Sequence, residues 1–136
     1  MKQLIDVLHS EGLTLVVKSG DGKIYRFTQR GVKDLLMLVS SCHDVLSGAL
    51  VADKAVGKAA AACMIVGGIH AVHADVMSAP AFSMLTASGI TAEYDQLVDH
   101  IVNRAGNGWC PMELISRDVD NPMVILQKIK DFLESH

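Results

Sequence analysis

The 136-residue chain is long enough for one domain with a real hydrophobic core and short for two. Half of its residues are hydrophobic but only 4% are aromatic, so the core should consist mainly of aliphatic side chains. A net charge of -3 and the lack of any Lys/Arg cluster argue against a nucleic acid polymer as the main partner.

The cysteines and the apolar stretches bear on the cellular compartment. Cys42, Cys63 and Cys110 are odd in number and form no Cys-x-x-Cys motif, which indicates neither a disulfide framework nor a thiolate zinc site. The apolar stretch 59–92 is interrupted by histidines, a proline and a Gly-Gly pair well short of the ~18 residues that a membrane helix needs. The chain also starts without the apolar region of a signal peptide. We therefore expect a cytoplasmic protein with no membrane partner.

The first third of the chain predicts a helix, a hairpin and a second helix. Apolar residues share one face before Gly12, which predicts a short opening helix. Two apolar segments, 13–18 and 23–28, flank Ser-Gly-Asp-Gly at 19–22, and this pattern predicts a β-hairpin. Apolar residues then recur at helical spacing over 32–46, which predicts one continuous second helix.

The middle of the chain alternates strands and helices. Gly48 to Asp53 is short and almost entirely apolar, as is typical of a strand buried on both faces. A helix over 56–66, a strand over 69–77 and a helix that begins at Ser78, with Pro80 just inside, follow. This alternation predicts parallel strands joined by right-handed crossovers.

The last part of the chain predicts one more strand and three helices. A strand is predicted at 90–94. The helix behind it would bury a stripe formed by Leu97, Val98, Ile101 and Val102. Cys110 and Pro111 mark the start of a further helix, and Asn121 marks the start of a closing amphipathic one. We therefore predict a single α/β domain over 1–136, a three-layer α-β-α sandwich with a mixed sheet.

Three charged residues stand at the predicted junction of the central strand and the following helix. If the strand ends at Asp53 and the helix begins near Val56, then Lys54 and Lys58 lie where open α/β sheets bind ligands and where helix N–H groups favour an anion. A lysine in a first helical turn is disfavoured unless a carboxylate or a bound anion offsets the helix dipole. We therefore predict a small anionic ligand here; a simple surface pair with Asp53 is the alternative.

Cys110 is the second candidate. A thiol at a helix N-terminus is stabilised as the nucleophilic thiolate, and Glu113, at the third helical position, would either bond back to the cap or act as an acid or base. The structural alternative is that Cys-Pro simply starts a helix, because cysteine is among the most buried residue types. Cys110, Glu113 and Asp53 are thus the candidate catalytic residues.

Histidines and an aspartate in the predicted strand 69–77 could suggest a metal site. Alternate residues of a strand point to opposite faces, so His73 and Asp75 share one face and His70 takes the other. At most two ligands would converge, whereas protein metal sites usually need three or four. We therefore expect no metal and no cofactor.

Several segments together resemble a small family of uncharacterised prokaryotic proteins. These are VADKAVGKAAA at 51–61, SAPAFSML at 78–85, Asn103-Arg104, and CPME at 110–113. The resemblance covers roughly residues 12 to 127, and it implies a cytidine-deaminase-like fold.

The same resemblance also predicts whether the chain has the ligands to bind zinc. Zinc deaminases carry His-x-Glu or Cys-x-Glu at the start of the helix after a central strand, and Pro-Cys-x-x-Cys at the start of the next. The corresponding places here are Val56-Gly57-Lys58 and 79–83, which supply no zinc ligand. The resemblance therefore implies the fold and the position of the site, around Gly57 and Lys58, without the metal.

Three functions remain open from the sequence. The leading one is a metal-independent enzyme that acts on an anionic small molecule, nucleotide-like or phosphorylated, held by Lys54 and Lys58 at a helix N-terminus. The second is a non-catalytic module that only binds such a ligand. The third is a homo-oligomeric interaction protein in which the charges of Asp53 and Lys54 form interface pairs.

Overall fold

The computed structural model describes residues 1–29, 32–102, 106, 108 and 110–135, so the motif Asn103-Arg104 lies outside the described residues. The strands are β1 (Leu15–Lys18), β2 (Ile24–Phe27), β3 (Leu50–Val56), β4 (Ala71–Ser78) and β5 (Thr91–Val98). The helices are α1 (Lys2–Ser10), α2 (Lys33–Ser41), α3 (His43–Leu46), α4 (Lys58–Gly67), α5 (Ala79–Ala87), α6 (Pro111–Ser116) and α7 (Pro122–Ser135).

The five strands form one mixed sheet in the order β2-β1-β3-β4-β5. β1 pairs antiparallel with both β2 and β3, while β3, β4 and β5 are parallel neighbours. The predicted hairpin followed by parallel crossover units is therefore confirmed, and with it the α/β class. None of the described helices is long and apolar enough to cross a membrane.

Helices cover both faces of the sheet. On one face, Leu4 and Leu8 of α1 pack with Val16 and Ala52 in a small apolar cluster. On the other face, a larger core surrounds α4. Helix α4 is buried from Lys58 to Met64, and its run of alanines lets α2, α5 and α7 approach it closely. The strand β3 and the helix α4 thus lie at the centre of the molecule.

Several helix ends form as the sequence predicts. The Ser78 hydroxyl accepts a hydrogen bond from the Ala81 N–H at 3.3 Å, so Ser78 caps α5, and Pro80 lies in the first turn. Gly68 ends α4 with a left-handed backbone (φ 75°) that favours glycine. Cys110 precedes α6 as its N-cap residue, with Pro111 at the first helical position.

The structure corrects three predicted boundaries. β3 extends to Val56 rather than ending at Asp53, because Ala55 and Val56 continue the parallel pairing with β4. The predicted single helix 32–46 is broken at Cys42, which is exposed and has a non-helical backbone (φ -135°, ψ 48°).

The third correction concerns the predicted helix behind the last strand. Leu97 and Val98 belong to β5, where they pair with Met77 and Ser78 of β4, and Ile101 is not helical. The apolar spacing fitted a helix, but pairing with an already buried parallel neighbour outweighed the local pattern.

Candidate functional site

A cavity of about 820 Å³ lies beside the carboxyl end of β3 and the start of α4. Its lining includes five of the residues that the sequence singled out: Asp53, Lys54, Gly57, Cys110 and Glu113. They come from β3, from the β3–α4 junction and from α6, which lies far along the chain. The topology therefore brings the two predicted motifs, VADKAVGKAAA and CPME, to one place.

Asp53 is a buried carboxyl group within β3. Its side chain is 8% exposed, and its Oδ1 accepts a hydrogen bond from the Ala55 N–H at 3.3 Å. Burial raises the pKa of Asp53 from 3.8 to about 7, because the charged form loses its hydration. Asp53 can therefore both accept and release a proton near neutral pH.

Glu113 reaches from α6 to the first turn of α4. It is 3% exposed, and its Oε1 accepts a hydrogen bond of 2.7 Å from the Lys58 backbone N–H. Burial raises the pKa of Glu113, although this hydrogen bond and the nearby charges of His100 and Lys58 oppose the rise. Glu113 thus caps a neighbouring helix, the position at which we had predicted a bound anion.

Gly57 leaves the space that the Glu113 carboxyl group occupies. A Cβ atom at position 57 would overlap the Glu113 Oε1 and lie 3.1 Å from the Ile101 Cγ1. The Gly57 φ of -102° is open to any residue, so the constraint is one of space. Gly57 and Glu113 therefore form a matched pair.

The two predicted ligand-binding lysines are separated in the structure. Lys54 is exposed and lines the cavity. The Lys58 ammonium instead donates hydrogen bonds to the Asp120 carboxylate at 2.9 Å and to the Arg117 carbonyl at 3.3 Å. The charge of a lysine in the first turn of α4 is thus offset by Asp120 and by the Glu113 carboxyl group, and no bound anion is needed to explain it.

Cys110 shares the cavity with Asp53 and Lys54. The residue is half-buried, and its backbone N–H donates to the Ile101 carbonyl at 2.9 Å. The other two cysteines differ, since Cys42 is exposed and Cys63 is fully buried in the core. Cys110 is therefore the thiol that a molecule in the cavity would meet.

Asp34 is a lining residue that sequence reasoning missed. It lies in the first turn of α2, is only 8% exposed, and makes no hydrogen bond or ion pair with any other residue that the structure describes. Acidic residues are common in first helical turns because they complement the helix dipole, so this position carried no functional signal in the sequence.

His73 and Asp75 of β4 each pair with a residue of a neighbouring element. His73 lies 3.3 Å from the Asp95 carboxylate, and Asp75 lies 2.8 Å from His9 of α1. His70 is exposed and precedes the strand. Within the described ranges, no three His, Cys, Asp or Glu side chains are grouped so that they could hold a metal ion.

The fold and the cavity define an α/β protein with a mixed five-stranded sheet and a carboxyl-rich cavity at the start of its central helix. The chain belongs to the family described as "TM1506: Domain of unknown function (DUF1893)", whose model matches residues 3–133.

The comparison with solved structures supports the same assignment. The chain is similar to the crystal structure of a DUF1893 family protein (TM1506) from Thermotoga maritima at 2.70 Å resolution. The two share 27% sequence identity with a TM-score of 0.86, and the match covers 96% of this chain and 87% of that one. No curated protein matches the chain.

Proposed function

We propose that this protein is an enzyme that binds a small molecule in the cavity and moves protons with Asp53 and Glu113. The observation that carries the proposal is that two buried carboxyl groups from distant segments, both with a raised pKa, line one cavity. Buried acids with raised pKa values are typical of acid–base catalysis, because a carboxyl group with a raised pKa holds a proton that it can transfer.

The roles follow from the protonation states. Asp53, when ionised, would take a proton from the substrate, and Glu113, when protonated, would give one back. Cys110 supplies a thiol on the same wall and is the candidate nucleophile. Gly57 positions the Glu113 carboxyl group by leaving room for it. The reaction class is therefore a proton transfer.

Fewer residues are available to bind the predicted anionic ligand than the sequence suggested. Lys54 lines the cavity, whereas the Lys58 ammonium bonds to Asp120 and the Lys58 N–H is taken by Glu113. An anionic substrate would therefore be held by Lys54, at the exposed side of the cavity.

We also infer that the fold is the cytidine-deaminase-like variant of the α/β class. The support is that β3 leads into α4 at Gly57-Lys58, and β4 leads into α5 at Ser78 and Pro80, the two helix starts at which deaminases hold zinc. The donor set does not fit zinc: position 58 carries an ammonium group that is bonded to Asp120, and residues 79–83 include no His, Cys or carboxylate.

A labelling experiment tests whether the cavity binds small molecules. In a Cys42→Ser background, iodoacetamide should modify Cys110 and leave the buried Cys63 intact. A panel of metabolites is screened by thermal shift, and a true cavity ligand should raise the Tm and also slow the labelling of Cys110. If every stabilising ligand leaves the labelling rate unchanged, the cavity is not the site and the proposal fails.

Catalysis is tested on the ligands that pass this screen. Asp53→Asn and Glu113→Gln keep the size of the side chain and an oxygen that accepts the same backbone hydrogen bond. We expect turnover to fall about 100-fold or more in each variant, with binding retained. Binding by the unsubstituted protein without any turnover would instead support the non-catalytic module.

An assembly role is the remaining alternative, and the surface that favours it is β5. This strand ends the sheet, and its Tyr94 and Leu97 are exposed apolar residues. A second copy pairing along β5 would extend the sheet. Sedimentation would show a dimer that Leu97→Lys dissociates, if this prediction of a homo-oligomer is correct.

A further inference from the structure

We propose that the cavity takes an organic cation: an amidinium, guanidinium or ammonium group carried on a flat apolar body. This inference rests on the proposed function, since it names the ligand class of the same cavity. The sequence predicted an anionic ligand. The structure instead favours a cationic one, because the buried charged groups that the fold leaves without an ionic partner are acids.

Asp34 is the main reason. The residue is 8% exposed, lines the cavity, and has no hydrogen-bond or ion-pair partner among the residues that the structure describes. Because neither oxygen of Asp34 has a partner among the described residues, both can accept hydrogen bonds from a molecule in the cavity. A ligand that brings a positive charge with N–H donors would supply these bonds.

The cavity contains two further acidic residues. Asp53 and Glu113 line the same cavity, so the described lining carries three carboxyl groups against the single ammonium group of Lys54. Lys54 is exposed, and water screens its charge, whereas the three acids are buried. At a pH at which Asp53 is ionised, the acids of the cavity therefore favour a cation over an anion.

Two of the groups predicted to hold an anion already have partners. The Glu113 carboxyl group accepts from the first N–H of α4, and the Lys58 ammonium is bonded to Asp120 and to the Arg117 carbonyl. Together with Lys54, these two groups were the predicted anchors for a phosphate or carboxylate. Protein acids satisfy both of them without any ligand.

The walls define the rest of the ligand. Leu15, Val32, Met112 and Phe132 contribute apolar surface to the cavity. Small-molecule sites typically combine such walls with a few polar groups that fix the orientation of the ligand. A planar amidinium or guanidinium suits carboxylates best because it donates two parallel hydrogen bonds.

Three isosteric probes test the charge of the ligand. Benzamidine is cationic, benzamide is neutral and benzoate is anionic, and all three have the same ring. At about pH 8, where Asp53 is ionised, we expect calorimetry to show benzamidine binding about tenfold or more tighter than either of the others. Benzamidine should also slow the labelling of Cys110, which places it in the cavity.

Asp34→Asn is the matched variant. It should weaken benzamidine binding about tenfold, whereas Asp44→Asn, an exposed acid in the first turn of α3, should leave the affinity within about twofold. Thermal melts confirm that both variants fold. The comparison of the three probes on the unsubstituted protein decides the question even if Asp34→Asn does not fold.

The outcomes separate this inference from the proposed function. Equal binding of all three probes, tighter binding of benzoate, or no binding of benzamidine overturns the cation inference. In each of those cases, a metabolite that still protects Cys110 and is turned over keeps the proposed function intact. Tight binding of benzamidine by a protein that turns over none of its ligands would keep the cation site and contradict the proposed enzyme.

Discussion

Acidic residues on the two faces of the sheet have different partners. On the α1 face, Asp75 lies 2.8 Å from the His9 ring and Asp95 lies 3.3 Å from the His73 ring. On the cavity face, Asp53 and Asp34 are both buried and have no cation within ion-pair distance among the described residues. Each of the α1-face acids thus has a histidine partner, whereas the cavity acids are buried without a cationic partner. Such unrelieved burial is a mark of a site rather than of a structural network.

The cavity side should be the more sensitive to a single added methyl group. In Gly57→Ala, the new Cβ atom must displace the Glu113 carboxyl group, which overpacks the site and leaves the Lys58 N–H without its acceptor. We expect a loss of about 4 kcal/mol in the free energy of unfolding, measured by urea denaturation.

Gly20→Ala is the control for this prediction. A Cβ atom there would lie 3.6 Å from the Ser47 carbonyl, an ordinary contact, so the change should stay within about 0.5 kcal/mol. An equal effect of the two substitutions would show that Glu113 is not held by the space above Gly57.

The next largest difference between the two faces should lie in how their acids make stability depend on pH. Because the pKa of Asp53 is about 7 in the folded chain and 3.8 in the unfolded one, the folded state holds the extra proton between these values. Stability should therefore fall as the pH rises from about 4 to about 7 and then level off. Asp53→Asn should remove this penalty and stabilise the protein by about 2 kcal/mol at pH 8, since water in the cavity relieves part of it.

Asp95→Asn on the α1 face is the matched comparison. This residue pairs with His73 and is not among the groups that raise the pKa of Asp53, so its substitution should destabilise the protein slightly and leave the fall between pH 4 and pH 7 in place. Thermal melts of both variants between pH 4 and pH 7 measure this difference in stability. A fall of the same size in Asp53→Asn would mean that Asp53 ionises freely in the folded protein.

The smallest effect should come from a substitution in the pair that His9 forms with Asp75. His9 and Asp75 are both partly exposed, so water screens their interaction. His9→Gln should change the free energy of unfolding by less than about 0.5 kcal/mol at neutral pH. A loss of more than about 2 kcal/mol would show that the α1-face pairs are as critical as the cavity, and the contrast between the faces would not hold.

Much of the fold could be predicted from local patterns. The hairpin around Ser-Gly-Asp-Gly and the helix starts at Ser78 and Cys110 depend on turn and capping chemistry that lies within a few residues. The boundaries that were wrong depend on distant pairing. β3 continues to Val56 and β5 includes Leu97 because β4 lies beside them, and no local signal encodes that neighbour.

The sequence predicted which residues belong to the candidate site better than it predicted how they are arranged. Asp53, Lys54 and Cys110 were singled out because charges and a thiol stood at element ends, and they line one cavity. The role of Lys58 could not be predicted, because its partner Asp120 lies 62 positions further along the chain. Asp34 could not be found at all, since its burial results from the packing of α2 and not from its neighbours in sequence.

The hydrogen bond between Glu113 and the start of α4 also bears on how the chain folds. It joins residues 55 positions apart, and the helix that it caps is the most deeply buried one. The sheet and α4 can therefore assemble while the first N–H of α4 still lacks its acceptor, and only the docking of α6 supplies it. We expect amide exchange to show α6 and the start of α4 opening together, at a lower free energy than β3 and β4. The cavity would then be the last part of the molecule to form and the first to open.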